Sequence, residues 1–450
     1  PETEARHLMH SEPKALLRKA ILQVIPHLQK LSGESLSPYQ VCTKTGDQQW
    51  QGEAVLRLDT ARLFSAANDY IRRASEPFMN SFLTQHSGYN GFMRFCGFIG
   101  DNYSRDSICI LCYALAHLWT KYETFDLNAA AIDSLVSEFE TFVDTASTRF
   151  VFRTQLVNFC ASLDRFPLPH GLLVRRMTDR EVSGFSGGWF QLRAGGQSHS
   201  VGIHEFCVEG TITLSRCTEA EITDVRPEAQ VKVALDKAVL SFRTFKRGSV
   251  GYGMIHFAPV TFCPVMVGSI GYGDAYIPIG EYRLETDEIG EFSEHATRVY
   301  AMTEPSMQMA CSRLADSGMR TKPVDRLVDA VIGMEALLLA GLRSEDRRSE
   351  LKLRFALHYS TLFTETEERR RAFRLAKDLY DLRSRIVHGS AFARTVLRVG
   401  DEKLNLSEAA NRACEALRLV VKKFLPRTER APYKQPEFWE SAYFGIHPNQ

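Results

Sequence analysis

Between about Glu367 and His388, apolar residues return every three or four positions: Ala372, Leu375, Ala376, Leu379, Leu382 and Ile386. That period predicts a helix with one buried face, stopped by Gly389, which adopts a left-handed backbone without steric cost. The same spacing predicts a helix over Val324 to Leu342, with Val328, Val331, Ile332, Leu338, Leu339 and Leu342 on one face. A further helix over Glu350 to Leu362 presents Leu351, Phe355, His358 and Leu362, and a last one runs from Ser407, as N-cap, to Phe424. Near the N-terminus, Lys14 to Leu31, Ala54 to Thr84, Ile108 to Lys121 and Ala129 to Ala146 also have helical patterns, with Arg62, Arg72 and Arg73 facing outward. Ser32 to Gln49 reads as a polar break and Gln85 to Asp101 as a loop.

The texture changes near Arg149. Alternating β-branched and aromatic residues from Phe150 predict a strand, and Val231 to Phe245 and Met254 to Val267 read as further strands. Thr178 followed by Glu181 is a capping-box signature for a short helix. The echoing segments Gly248 to Gly253 and Gly268 to Gly273 read as turns joining strands. The expected fold is therefore α+β and predominantly α: a helical N-terminal domain over 1–147, a β-rich middle over 148–290, and a helical bundle over 291–430. A tail over 431–450 carries Phe438, Trp439, Tyr443 and Phe444, expected to pack back on the body.

Polar residues on the apolar faces carry the chemistry. Arg383 lies four residues after Leu379 and seven after Ala376, beside the stripe, while His388 follows Ser384 and Tyr380 at four-residue steps. Arginine holds a phosphate through two parallel donors, and imidazole exchanges protons near neutral pH. The alternative is structural: Arg383 in a core salt bridge and His388 favouring the negative end of the helix. Glu335 and Arg354, each on an apolar stripe, read as ion-pair partners, because an unpaired buried charge costs several kcal/mol.

Tyr380, Arg383, Ser384, Ile386, Val387, His388 and Gly389 together resemble the HEPN superfamily, and more closely its Apea-like branch. Asp329, Glu335, Ala336, Leu337 and Arg354 extend the likeness across 325–389. The strand-then-helix passages ahead of these helices, with Leu168-Pro-His-Gly-Leu172, match it loosely. The resemblance implies an all-α HEPN bundle and a metal-independent endoribonuclease without a cofactor. In it His388 moves protons, Arg383 binds the scissile phosphate and Ser384 orients one of them. It also implies a homodimer, whose paired helices bring two Arg-His sets into one cleft, and a role in anti-phage defence or as a toxin, with the rest of the chain sensing or restraining. A non-catalytic HEPN module that binds RNA or a nucleotide, or only dimerises, is the alternative.

Composition adds a polarity. The 450 residues are 44% hydrophobic and 24% charged, as in an ordinary folded protein, and the formal net charge is +1. From Arg343 to Arg430, however, 21 Lys and Arg stand against 13 Asp and Glu, so this stretch of the C-terminal third carries +8 and the rest of the chain −7. A basic field of that kind suits RNA, although solvated helix faces would give the same count. The ten cysteines form no regular framework and the chain starts without a charged-then-apolar leader, which suits a reducing cytoplasm. Ile108 to Trp119 is too short an apolar run to cross a bilayer. His199, His204, Cys207 and Cys217 are candidate zinc ligands, but their spacing fits no familiar finger, and free thiols and surface histidines are the simpler account. No Gly-x-Ser-x-Gly, His-Glu-x-x-His or Walker sequence is present.

Overall fold

The computed structural model describes residues 2–45, 49–58, 60–85, 108–144, 147–179, 181–182, 192–194, 197–199, 204–215, 227–262, 269–270, 282–341, 350–389 and 397–444. In chain order come α1 (Glu2–Ser32), β1 (Leu36–Thr45), β2 (Gln49–Leu58), α2 (Thr60–Ala66), α3 (Asn68–Gln85), α4 (Ile108–Tyr122) and α5 (Ala129–Asp144). The middle supplies β3 (Ser147–Val157), β4 (Phe159–Ala161), β5 (Arg165–Pro167), β6 (Leu173–Arg176), β7 (Leu192–Ala194), β8 (Gln197–His199), β9 (Phe206–Ser215), α6 (Pro227–Phe245), β10 (Gly251–Pro259), β11 (Ser269–Ile270) and β12 (Tyr282–Leu284). The rest is α7 (Ile289–Ala301), α8 (Pro305–Met319), α9 (Pro323–Leu338), α10 (Leu351–Ser360), α11 (Thr366–Val387), β13 (Leu397–Val399), β14 (Glu402–Leu404), α12 (Leu406–Phe424) and α13 (Pro436–Tyr443). The protein is α+β and mainly α, with an antiparallel sheet midway and helices at both ends. No described helix is long and apolar enough to cross a membrane.

The chain divides into two compact units, one of 1–155, 171–233 and 253–273, the other of 156–170, 234–252 and 274–450. In the first, α1 buries Leu17, Ile21, Val24 and Leu28, an i, i+4, i+7, i+11 face, against α3, α4 and α5. Phe78 of α3 meets the edge of Phe139 of α5 at 5.8 Å. Leu36 to Thr45 of the predicted polar break, and the start of the predicted Ala54 helix, are instead strands: β1 and β2 pair antiparallel from Leu36↔Leu58 to Thr45↔Gln49, while 46–48 lie outside the described residues. Each strand satisfies the other's backbone, which no single-segment pattern reveals. The predicted loop over Gln85 to Asp101 lies, after Gln85, outside the described residues.

In the sheet of this unit β11, β10, β3, β9 and β6 lie side by side. Strand β3 alternates buried and half-exposed residues, as its sequence predicts. Phe152 faces Gly210 of β9, where an added Cβ would sit 2.4 Å from the phenyl ring, so a larger residue would have to push the ring aside. The capping box is present: Thr178 N–H donates to Glu181 at 2.9 Å and Glu181 N–H to the Thr178 hydroxyl at 3.3 Å.

Two expectations fail in the second unit. Val231 to Phe245 is not a strand but most of α6, whose buried Leu235, Ala238, Val239, Phe242 and Phe245 keep the helical period. Its valines suggested β structure, yet a 3.6-residue burial pattern outweighs β-propensity. Gly248 to Gly253 accordingly joins a helix to β10 rather than two strands; Gly248 has φ +138° and lies against the Tyr282 ring. Of the second echo, Ser269 and Ile270 form β11 and 271–273 lie outside the described residues.

The C-terminal bundle packs α8 on α9, α9 on α12 and α10 on α11 around Met307, Leu314, Val331, Phe355, Leu379 and Leu417. At Gly333 an added Cβ would be 2.6 Å from the Leu417 side chain, so α9 and α12 pack closely there and a larger residue would have to displace Leu417. On α9 the buried face runs through Leu327, Val331, Met334 and Leu338, while Val328 and Ile332 are only half-buried. The N-cap of α12 is Asn405, not Ser407: it accepts from Glu408 N–H at 3.0 Å while Glu408 accepts from Asn405 N–H at 2.8 Å. Ahead of α12, Leu397 to Val399 forms a hairpin with β14. The tail does pack back: Trp439 stacks on His358 at 4.0 Å and donates to Tyr433 O at 3.0 Å, although Phe444 stays exposed.

Candidate functional site

Helix α11 is long and amphipathic, burying Ala372, Ala376, Leu379 and Leu382. Its end is built as the sequence predicts. His388 is the C-cap, its N–H donating to Ser384 O at 3.0 Å, and Gly389 takes φ +70° while its N–H donates to Ile386 O at 3.0 Å. His388 is exposed and Ser384 half-buried.

Arg383 points elsewhere. Five residues on a helix correspond to about 140° of rotation, so Arg383 and His388 leave α11 in different directions, whereas Ser384 and His388 share a face. The Arg383 Nη2 lies 3.4 Å from Glu335 Oε2 of α9, the long end of hydrogen-bond range. Its Nε is buried and has no hydrogen-bond partner among the described residues. Burial pushes the Glu335 carboxyl above its ordinary value, and the Arg383 charge pulls it only partly back. Tyr380, one turn earlier, has its ring 5.3 Å from Phe355 of α10, and its phenol is pushed up by burial and then by Glu335. Lys352 of α10 pairs with Asp381 close by.

The predicted pairing of Glu335 with Arg354 is thus corrected to Glu335 with Arg383. The charge of Arg354 is felt instead by His358, one turn along α10, and by Tyr443 of the tail. Which arginine faces a glutamate depends on how three helices cross, and both arginines stood on apolar stripes in the sequence. The available signal was the Asp329-to-Glu335 spacing that accompanies the Arg-Ser…His motif. Asp329 itself is buried between Arg313 at 2.8 Å and Arg320 at 2.9 Å.

Along α11 from this group, a cleft of about 560 Å³ is lined by Arg369, Arg370, Arg374, Phe373, Ser360 and Thr366, among others. Arg369 and Arg383 are fourteen residues apart, about 20 Å of helix. Of the zinc candidates, Cys217 and the His199 side chain lie outside the described residues. Burial lowers His204 to about 4, its Nε2 lacking a partner among the described residues, and raises the Cys207 thiol to about 12. No group of three metal-ligating side chains occurs among the described residues.

The fold and this group of side chains define an α+β protein whose helical unit presents an arginine, a serine and a histidine at one helix end. Compared with known proteins, the chain matches no family model, no curated protein and no solved structure.

Proposed function

We propose that the C-terminal helical unit is a HEPN-type endoribonuclease that cleaves RNA without a metal ion, and that the protein serves regulated anti-phage defence or acts as a toxin. One observation carries the reading. Arg383 is, among the described residues, a half-buried guanidinium with an unpartnered Nε and a single long carboxylate contact, five residues before an exposed histidine at a helix end. A guanidinium that is partly exposed and held by one long carboxylate contact suits a phosphate that arrives from outside.

In the proposed reaction an imidazole takes the proton of the RNA 2′-hydroxyl, whose oxygen attacks the adjacent phosphorus. Arg383 offsets the charge that grows on the phosphoryl oxygens, and the 5′-oxygen leaves with a proton from a second imidazole. The products carry a 2′,3′-cyclic phosphate and a 5′-hydroxyl. Base and acid are different histidines, so His388 from each chain of a homodimer supplies one, and Ser384, on the same face, orients its own histidine. The basic balance of the C-terminal third and the arginine-lined cleft support RNA as the substrate.

A second reading, a non-catalytic HEPN module that binds RNA or a nucleotide or only dimerises, is favoured by the engagement of Arg383 with Glu335. Incubating the purified chain with RNA in EDTA separates the two, with His388→Ala and Arg383→Ala alongside. Fragments with 5′-hydroxyl ends, lost in both variants, are expected. RNA binding without cleavage in the wild type would leave the binding module.

A further inference from the structure

Two cations of the second unit converge on a neutral group. Arg326, in the first turn of α9, places Nη2 2.6 Å from Oδ1 of Asn411 on α12. Arg247, just past the end of α6, places its own Nη2 3.4 Å from the same oxygen. The Nε of Arg326 is buried without a hydrogen-bond partner, and neither arginine has a carboxylate partner among the described residues.

The neighbouring pair shows what is missing. Arg313 and Arg320 also converge on one side chain, but theirs is the carboxylate of Asp329, whose two oxygens meet one guanidinium each. At Asn411 the two-to-one geometry is kept while the acceptor has no net charge. Two guanidinium groups repel, and an amide oxygen answers them only with a dipole. A tetrahedral oxyanion supplies both the charge and enough acceptor oxygens for two forks, and the Asn411 amide nitrogen adds a donor. Arg247 is exposed while Arg326 and Asn411 are half-buried, so the group has an open side and a fixed floor.

We propose that Arg247, Arg326 and Asn411 form a binding site for a phosphate group, free or carried by a nucleotide. The site is distinct from the Arg383 end. Arg326 and Glu335 are nine residues apart on α9, two and a half turns, and so lie on opposite sides of that helix with about 13 Å of rise between them. Phosphate binding here does not require that the chain cleave RNA.

The test uses the full chain and titrates inorganic phosphate, adenosine monophosphate and a short single-stranded RNA against chloride at matched ionic strength, reading Tm and calorimetric affinity. A saturable rise in Tm with phosphate and not with chloride is expected. Arg247→Ala, at an exposed position, should weaken phosphate at least about tenfold, the loss expected for one charge-assisted hydrogen bond. Asn411→Asp supplies the missing countercharge from within, so it should raise Tm without phosphate and abolish the phosphate response. Tighter binding of the monophosphate, or of the RNA, than of inorganic phosphate would identify the carrier; equal binding would identify free phosphate. No saturable phosphate effect in the wild type, or wild-type phosphate affinity in Asn411→Asp, would overturn the proposal.

Discussion

Arg175 and Arg383 are buried to similar depth, with 19% and 26% of their side chains exposed, yet they are used differently. Arg175 sends Nη1 and Nη2 to Glu181 at 2.8 and 2.6 Å, and Nε and Nη2 to Glu209 at 3.2 and 2.9 Å, with Arg153 on the same carboxylates. Every charge there is answered, and the hydrogen bond from Arg175 pulls Glu181 down to about 2. Arg383 has one contact at 3.4 Å and an idle Nε, and its Glu335 is raised rather than lowered. Saturated donors fasten the sheet of the first unit, whereas Arg383 on α11 is left with a buried, unsatisfied Nε among the described residues. Burial alone would not distinguish them; the partner carboxylate's direction of shift does.

The comparison is most exposed to failure at the helix end. His388→Ala should lower RNA cleavage by about 10²–10⁴-fold, the usual contribution of general acid–base catalysis, while Tm stays at the wild-type value because the side chain is exposed. Unchanged cleavage would remove His388 from the chemistry. Arg175→Met should act the opposite way. Glu181 and Glu209 would be left to Arg153 alone, and the lost charge-assisted hydrogen bonds should cost about 1.5–3 kcal/mol in urea unfolding, with any loss of activity following the unfolded fraction.

Acid titration of stability sharpens the contrast by sign. Glu181 titrates at about 2 when folded against an ordinary 4.5, so its contribution is full above 4.5 and is lost as pH falls toward 2. Glu335 is raised, so the folded chain keeps that proton longer, and stability falls as pH rises from 4.5 through the raised value. In Tm-versus-pH curves, Glu181→Gln should therefore flatten the acid limb. Glu335→Gln should remove a decline above 4.5 and leave neutral-pH stability equal or higher. The smallest effect is expected at Arg412, paired at 2.7 Å with Glu402 but with both side chains about half exposed. Arg412→Ala should change unfolding free energy by about 0–1 kcal/mol, and a larger change would mean that proximity rather than saturation sets the value of these ion pairs.

Much of the helical end was legible because its information is local. The α11 period, its glycine stop, the helices α9 and α10 and the returning tail all follow from spacing along one segment. The β1–β2 pairing was not, because a strand's partner is another segment, and the valines of α6 misled because β-propensity reports packing context. The Asn405 cap was missed in favour of Ser407, two residues away, since either residue type can cap and only the backbone angles choose.

At the candidate site the division is the same. Sequence alone determined that an arginine, a serine and a histidine end an amphipathic helix in the basic third of the chain, because periodicity and composition need no partner. Only the tertiary structure decided that Glu335 faces Arg383 and not Arg354, that the Arg383 Nε is left buried and unsatisfied among the described residues, and that Arg247 and Arg326 meet over an uncharged Asn411. Those outcomes depend on which helices cross and at what angle, and a guanidinium's unmet donors exist only relative to the groups that packing brings near it.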